Sequence, residues 1–275
     1  MKRASLLIVL VLLLANCKNE NKEKKSEGSK NGENPQMTSE GEAKKNRKKQ
    51  ASEISVMPVE HASFAVQLDE KTFYFDPVGG AEKYSKLPDP DYVFITDIHG
   101  DHLNIETLNG IMREGLQFIV PPAVYQKLPE KLKKNATKLE NGQTKKMSGI
   151  KIKAIPMYNL PQKKDAFHPK GRGNGYVLDT GKKRIYVSGD TEDIPEMKQL
   201  DNIDHAFICM NLPYTMPVEN AAKAVLTFKP QTVYPYHYRG KNGFSNVDEF
   251  KKIVEKQNPS INVELLNWYP NKDEK

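Results

Sequence analysis

Asp97-Ile98-His99-Gly100-Asp101-His102 sets four cation-binding side chains within six residues, close behind the apolar run Tyr92-Val93-Phe94-Ile95. A buried strand that ends in such a loop can turn imidazoles and carboxylates inward, onto one cation or onto two adjacent ones. Neutral imidazole and carboxylate oxygen together suit zinc, and also manganese or iron. The competing reading is a chance cluster in a solvated polar loop. It accounts poorly for the position of the run at the mouth of a buried strand, so a metal centre is the expectation.

Such a loop needs a sheet behind it, and the flanking pattern supplies one. Residues 54–59, 64–68 and 72–75 read as short strands, with Asp69-Glu70-Lys71 as a tight turn between the last two. Residues 92–96 are a buried strand. Residues 104–114 have helical spacing at Ile105, Leu108, Ile111 and Met112, with Asn104 as N-cap. Further strands are expected at 118–120 and 150–155, and a hairpin at 175–178 and 184–187 around Asp179-Thr180-Gly181-Lys182. Helices follow at 218–228 and 246–256, with a last buried strand at 232–234. Strands first and then mixed strands and helices give an α+β layered body, and no internal repeat interrupts it.

Several ordered motifs refine this. The metal run resembles the His-x-His-x-Asp-His signature of the metallo-β-lactamase superfamily, with Asp97 in place of the first His. Glu60-His61-Ala62-Ser63-Phe64 and Phe75-Asp76-Pro77 resemble the Gly-His-Ala-Ser-Phe and Ile-Asp-Pro segments of one branch. That branch includes ascorbate-6-phosphate lactonase-like proteins and N-acylphosphatidylethanolamine phospholipase D. The run from Phe167 through His168, Arg172 and Gly175 to Tyr176 is similar to the branch's central loop. Ser188-Gly189-Asp190-Thr191 matches the Gly-Asp-Thr segment, and Tyr234-Pro235-Tyr236-His237 the late Pro-x-His. The resemblance spans about residues 54 to 270 and implies a four-layer αβ/βα sandwich with metal loops along one edge of its sheets.

Carried across residue by residue, the resemblance gives Asp97 and His99 to a first metal and Asp101 and His102 to a second. Asp190 bridges them and His237 completes the second site. Asn159, in Pro156-Met157-Tyr158-Asn159, stands where the family has the first site's third ligand, a His. The first site so loses two imidazoles, which favours a harder ion such as Mn²⁺ there or weak filling. The expectation is Zn²⁺ or Mn²⁺ in one tight site and a second, weaker one. Asp101 or Asp190 would orient the attacking water. His61 is expected near the metals, as an outer ligand or holding a ligand's orientation, and Asp76 as a loop cap or outer hydrogen-bond partner. His168 and Arg172 lie in a Gly-rich basic loop that would hold an anionic substrate group, Arg offering a bidentate fork.

The first 52 residues read differently. Met1-Lys2-Arg3 followed by an apolar run through Ala15 reads as an export signal, too short to span a bilayer comfortably. Leu14-Ala15-Asn16-Cys17 resembles a bacterial lipobox, making 1–17 a lipoprotein signal peptide and Cys17 the lipidated residue; an ordinary secretory signal or an uncleaved anchor is the alternative. Residues 18–52 carry ten Lys/Arg and six Glu with almost no large apolar side chains, and so read as a disordered, charged tether. They and the signal account for most of the net charge of +7. Residues 53–275, the expected catalytic domain, are nearly neutral, which argues against a nucleic-acid partner. Cys209, the one cysteine besides Cys17, lies in a buried-strand pattern and reads as a packed thiol.

The expected protein is thus lipid-anchored in a bacterial cell envelope and hydrolyses a lactone, amide or phosphodiester bond in a small-molecule or lipid-like anionic substrate. A metal lowers the pKa of bound water from ~15.7 toward ~7, so a nucleophile is available at neutral pH. The alternative is a degenerate relative that binds metal or ligand without turnover. Nucleophile-elbow, P-loop and dinucleotide motifs are all missing from the sequence.

Overall fold

The computed structural model describes residues 54–270, so the expected signal peptide and tether, with Cys17, lie outside the described residues. The first sheet takes β1 (Ser55–Glu60), β2 (Ser63–Leu68), β3 (Lys71–Phe75), β4 (Tyr92–Phe94), β5 (Gln117–Val120) and β6 (Ala136–Lys138) in sequence order. The second takes β7 (Thr144–Met147), β8 (Ile150–Met157), β9 (Gly173–Asp179), β10 (Arg184–Val187), β11 (His205–Cys209) and β12 (Thr232–Tyr236). A small hairpin, β13 (Arg239–Gly240) and β14 (Gly243–Phe244), follows, and β15 (Asn262–Val263) pairs beside β12.

Two-residue periodicity sorts the first sheet into faces. Phe64, Val66, Phe73, Phe75, Tyr92, Phe94 and Ile119 enter the core shared with the second sheet. Their neighbours Ala65, Tyr74, Val93, Ile95, Phe118 and Val120 pack outward with Leu108, Val124, Leu128 and Leu132. Those four belong to helices Ile105–Gly110, Pro122–Lys127 and Glu130–Lys133 and the turn after the second. On the far side, helices Val218–Phe228 and Val247–Gln257 contribute Ala221, Ala222, Val225, Phe250 and Val254 to the main core. The result is the expected αβ/βα sandwich. At its centre Phe64 stacks on Phe75 and Phe207 at 4.7 and 4.6 Å, with the Trp268 ring edge-on at 5.4 Å.

Strand direction explains where function collects. β3, β4 and β5 are parallel, and β1 runs with them because two antiparallel pairings separate it from β3. In the second sheet β10, β11 and β12 are parallel and β8 runs with them, while β9 is reversed. Within each sheet, the ends of the like-directed strands fall on one edge; in the second, the start of β9 joins them. The loops there carry His61, Asp76, the 97–102 run, Asn159, Arg172, Asp190 and His237, the arrangement by which open sheets hold ligands at strand carboxyl ends.

Elements departing from expectation do so for local reasons. The strand expected to reach residue 96 stops at Phe94: Ile95 still donates to the Ile119 carbonyl of β5, but the Thr96 amide turns to the Asp76 carboxylate. The helix at Asn104, whose side chain does accept from the Thr107 amide, ends at Gly110. β7 was not anticipated: Thr144-Lys145-Lys146-Met147 is an exposed, lysine-bearing edge with no apolar alternation to read.

Candidate metal centre

Three residues that leave strand ends at this edge, His61, Asp76 and His237, have φ of 56°, 44° and 48°. Non-glycine residues seldom occupy this left-handed region, and where they do at a functional edge the surrounding structure must hold them. Each turns the chain sharply as β1, β3 and β12 end. Gly189, φ 60°, does the same after β10 and sets up Asp190.

The 97–102 run is one tight turn, closed by the amides of His102 and Leu103 donating to the His99 carbonyl at 3.0 and 2.8 Å. It aims His102 into a fully buried cluster. His102 Nε2 lies 3.2 Å from His237 Nε2 and 3.3 Å from Asp190 Oδ2, and His237 Nε2 lies 3.1 Å from Asp190 Oδ1. Asp101 approaches the same two imidazoles at 3.7 and 3.6 Å. Donors about 2.0–2.2 Å from a tetrahedral ion are about 3.3 Å apart, so these spacings match one ion between them. Asp190 Oδ1 is buried with no hydrogen-bond donor, as a ligand oxygen would be. His102, Asp190 and His237 therefore fit a cation.

Outer contacts fix the ligands. His102 Nδ1 donates to Asp76 Oδ2 at 2.8 Å, leaving Nε2 bare toward the cluster. Asp76, itself buried, is held by the Thr96 amide and hydroxyl at 2.7 and 2.6 Å. Tyr269 Oη accepts from the Arg239 amide at 3.0 Å and meets His61 Nδ1 at 2.9 Å, so His61 Nε2 faces Asp101 Oδ2 at 3.5 Å. His61, Asp101 and His237 also lie close enough together to share a cation, so both roles expected for His61, outer ligand and orienting group, are compatible with this geometry. Burial and the neighbouring His237 push the His61 pKa down to about 4 and keep it neutral.

The electrostatics suit a cation. Burial disfavours charge on His102, yet the Asp190 and Asp76 carboxylates outweigh it and hold the imidazole well above its usual range. Burial likewise opposes ionising Asp190, but His237 and His102 drive its pKa well below the ordinary carboxylate range. A field that retains a proton this firmly also attracts a metal ion.

The other half of the centre differs from expectation. Asn159 does not offer its oxygen to an ion: Oδ1 accepts from the His168 amide at 2.7 Å, and Nδ2 donates to the Tyr214 carbonyl at 2.8 Å. The imidazole on this side comes instead from His168, expected as a substrate contact. Its Nδ1 meets the Tyr214 carbonyl at 3.2 Å and its Nε2 lies 3.1 Å from Asp190 Oδ2. Asp97, His99 and His168 form a second cluster spaced for a cation. Arg172 also departs from its expected role, since its fork closes on Asp97, Nε to Oδ1 at 3.0 Å and Nη2 to Oδ2 at 2.7 Å. Tyr214, Thr96 and Tyr269 carry no motif and were missed. The Phe-His-Pro run just ahead of the strand opposite Asn159 was the available signal for His168.

Close backbone approach explains Gly175. A Cβ on Gly175 would lie 2.6 Å from the Ser188 carbonyl oxygen and 2.8 Å from that of Val187. Backbone cannot yield as a flexible side chain can, so Gly175→Ala should destabilise the fold by about 1–3 kcal/mol, read from the urea midpoint. An unchanged midpoint would mean that the two strands separate freely.

Cys209 is buried and its thiol is pushed up to about 12, chiefly by burial, so no thiolate forms near neutrality. Ser188 donates to the Gly189 carbonyl at 2.8 Å and has no imidazole base.

A two-sheet sandwich with buried His and Asp side chains gathered at its strand ends is the construction of a metallo-hydrolase of the β-lactamase type. The chain belongs to the Beta-lactamase superfamily domain family, whose pattern matches residues 62–238. A UPF0173 metal-dependent hydrolase of Pyrococcus abyssi is 28% identical over 211 residues, 73% of this chain and 92% of that one. A crystal structure from Parabacteroides distasonis, named provisionally as a metal-dependent hydrolase, is 35% identical with a TM-score of 0.68, covering 78% of this chain and 93% of that one. Igni18, a metallo hydrolase of Ignicoccus hospitalis, is 25% identical with a TM-score of 0.66, covering 78% and 94%.

Proposed function

We propose that this metal-dependent hydrolase acts through one tightly held ion, Zn²⁺ or Mn²⁺, at His102, Asp190, His237 and Asp101. The observation that carries this is the convergence of two imidazole nitrogens and a buried carboxylate at 3.1–3.3 Å from one another. When bound, the ion supplies Lewis acidity and acidifies water toward neutral pH. Asp101, at the open side of the cluster and positioned by His61, would orient the attacking water. Asp190, locked ionised between imidazoles, keeps the ligand set anionic.

The bond cleaved is a lactone, amide or phosphodiester, as in the branch that includes ascorbate-6-phosphate lactonase-like proteins and N-acylphosphatidylethanolamine phospholipase D. The substrate in this reading is a small-molecule or lipid-like anion, and apolar side chains near the site support its lipid-like part. Phe167 is 53% exposed, adjoins His168 and packs on Tyr214 at 5.1 Å. Phe244, 47% exposed, packs on Tyr269, which holds His61. Purified protein loaded with Zn²⁺ or Mn²⁺ should hydrolyse at least one member of a panel of lactones, amides and phosphodiesters. A fully metallated protein inert on every class would move the assignment to a binding protein without turnover. That second reading draws on the Arg172–Asp97 pair, which removes one carboxylate from the ligand set.

The proposed reading includes a membrane anchor in the bacterial cell envelope, through lipid on Cys17 and a tether at 18–52, and no nucleic-acid partner. Cys17→Ser should abolish labelling by a fatty-acid analogue and shift the protein from the membrane to the soluble fraction. Labelling that persists unchanged would refute the anchor.

A further inference from the structure

We propose that Arg172 is the resident cation of the first half of the centre, so that Asp97 and His99 bind a guanidinium where a second metal ion would otherwise go. This rests on the single-ion reading above and says why the centre stops at one ion.

Asp97 is fully buried, and Arg172 occupies both of its oxygens through a bidentate fork. The same Nη2 reaches His99 Nε2 at 3.2 Å and the Phe167 carbonyl at 2.5 Å. His99 Nδ1 in turn lies 3.0 Å from Asp97 Oδ2. Neutral His99 then donates from Nδ1 to Asp97 and accepts from Arg172 at Nε2, while Nη2, with two hydrogens for three acceptors, shares one hydrogen between two of them. Both nitrogens of His99 and both oxygens of Asp97 are then engaged without an ion.

On this side only His168 Nε2 stays without a hydrogen-bond partner, 3.1 Å from Asp190 Oδ2 and 4.0 Å from Asp97 Oδ2. One free imidazole and a carboxylate shared with the other half are a poor site for a second tight ion. Such an ion would have to displace the fork from a buried carboxylate and accept a permanent positive charge beside it. Arg does not give up its proton to make room. The two halves therefore differ in kind. The His102 half turns buried ligand atoms toward one another, whereas the Asp97 half is closed by its own arginine.

The substitution of Asp97 for the first histidine of the motif follows from this. An imidazole there would offer the fork one nitrogen, whereas a carboxylate takes it at two points. Asp97 and Arg172, 75 residues apart, are matched to each other.

Native mass spectrometry of the purified protein, titrated with Zn²⁺ and separately with Mn²⁺, reads the number of ions directly, alongside the melting temperature. The unmodified protein should stop at one ion per chain. Arg172→Gln removes the charge and should raise the plateau to two, while Arg172→Lys, which keeps the charge, should stay at one. Asp97→Asn should keep the one ion with affinity changed less than tenfold, because Asp97 is not its ligand; His237→Ala should lose it. Two ions of similar affinity in the unmodified protein would overturn the proposal. So would a folded Arg172→Gln that stays at one, or loss of the ion in Asp97→Asn. If Arg172→Gln fails to fold, the unmodified and Asp97→Asn titrations still decide. A failure of the single-ion reading itself looks different: no ion in the unmodified protein, or an ion kept by His237→Ala.

Discussion

His102→Ala or Asp190→Ala should each remove the tightly bound ion and cut hydrolysis by more than about 100-fold. The bound follows from the observation that disturbing a ligand's outer hydrogen-bond partner already costs about 10–100-fold in metal affinity or activity, and these substitutions remove the ligand. His102 and Asp190 are both buried, so no solvent-borne group replaces them. The two losses should not add. Once the ion has gone, the double variant has nothing further to lose, as for other groups that act as one unit. Metal content and turnover are measured on the same preparations. A His102→Ala protein that retains both the ion and full activity would refute the assignment of the centre. Retention of the ion with loss of activity would instead make His102 a group of the reaction.

The alternation of apolar residues made most of the scaffold legible. Phe73, Phe75 and Tyr92, Phe94 point one way and Tyr74 and Val93, Ile95 the other, which a two-residue pattern states outright. The helix Val218–Phe228 was readable to the residue because its buried positions recur at helical spacing. Helices of four to six residues that begin at a proline, such as Pro122–Lys127 and Pro195–Lys198, are too short to show a period. In the site, motif spacing located the His102 half, whose members each end a strand or a strand loop. It also paired Asp97 with His99, which the fold does bring together, but gave their third partner as Asn159. Asn159 occupies the aligned position, but Asn159 spends its amide on Tyr214 and on the His168 backbone, and His168 delivers the imidazole from nine residues further on. That exchange depends on the pairing of β8 with β9, which brings the two segments together at the sheet edge. Position in a linear motif does not encode it. Arg172 was misjudged for a related reason: a fork fit for a substrate anion is equally fit for Asp97, and only the fold shows which carboxylate is within reach.

Asp76→Asn should weaken metal binding by about 10–100-fold while leaving every direct ligand in place. One proton on His102 decides the outcome. Asp76 Oδ2 accepts from His102 Nδ1 at 2.8 Å, and its other oxygen from the Thr96 amide at 2.7 Å. That pairing keeps the His102 proton on Nδ1 and the lone pair of Nε2 turned toward Asp190 and His237. An asparagine has one acceptor oxygen for the two demands. With the oxygen on the Thr96 amide, its NH₂ faces His102 Nδ1, and two donors meet unless the imidazole moves its proton to Nε2. The proton then points into the cluster and a ligand is lost, without any change in the residues that touch the ion. Burial works in the same direction, because it raises the pKa of Asp76 and makes its ionised form dependent on His102 and Thr96. Thr96→Val is the control. It removes the hydroxyl that donates to Asp76 at 2.6 Å but leaves the carboxylate on His102, and it should weaken binding less than Asp76→Asn does. The affinities are read by competition with a chromophoric chelator, with the melting temperature of the metal-free proteins measured beside them. If Asp76→Asn binds the ion as tightly as the unmodified protein does, Asp76 supports the loop and has no part in setting the proton on His102.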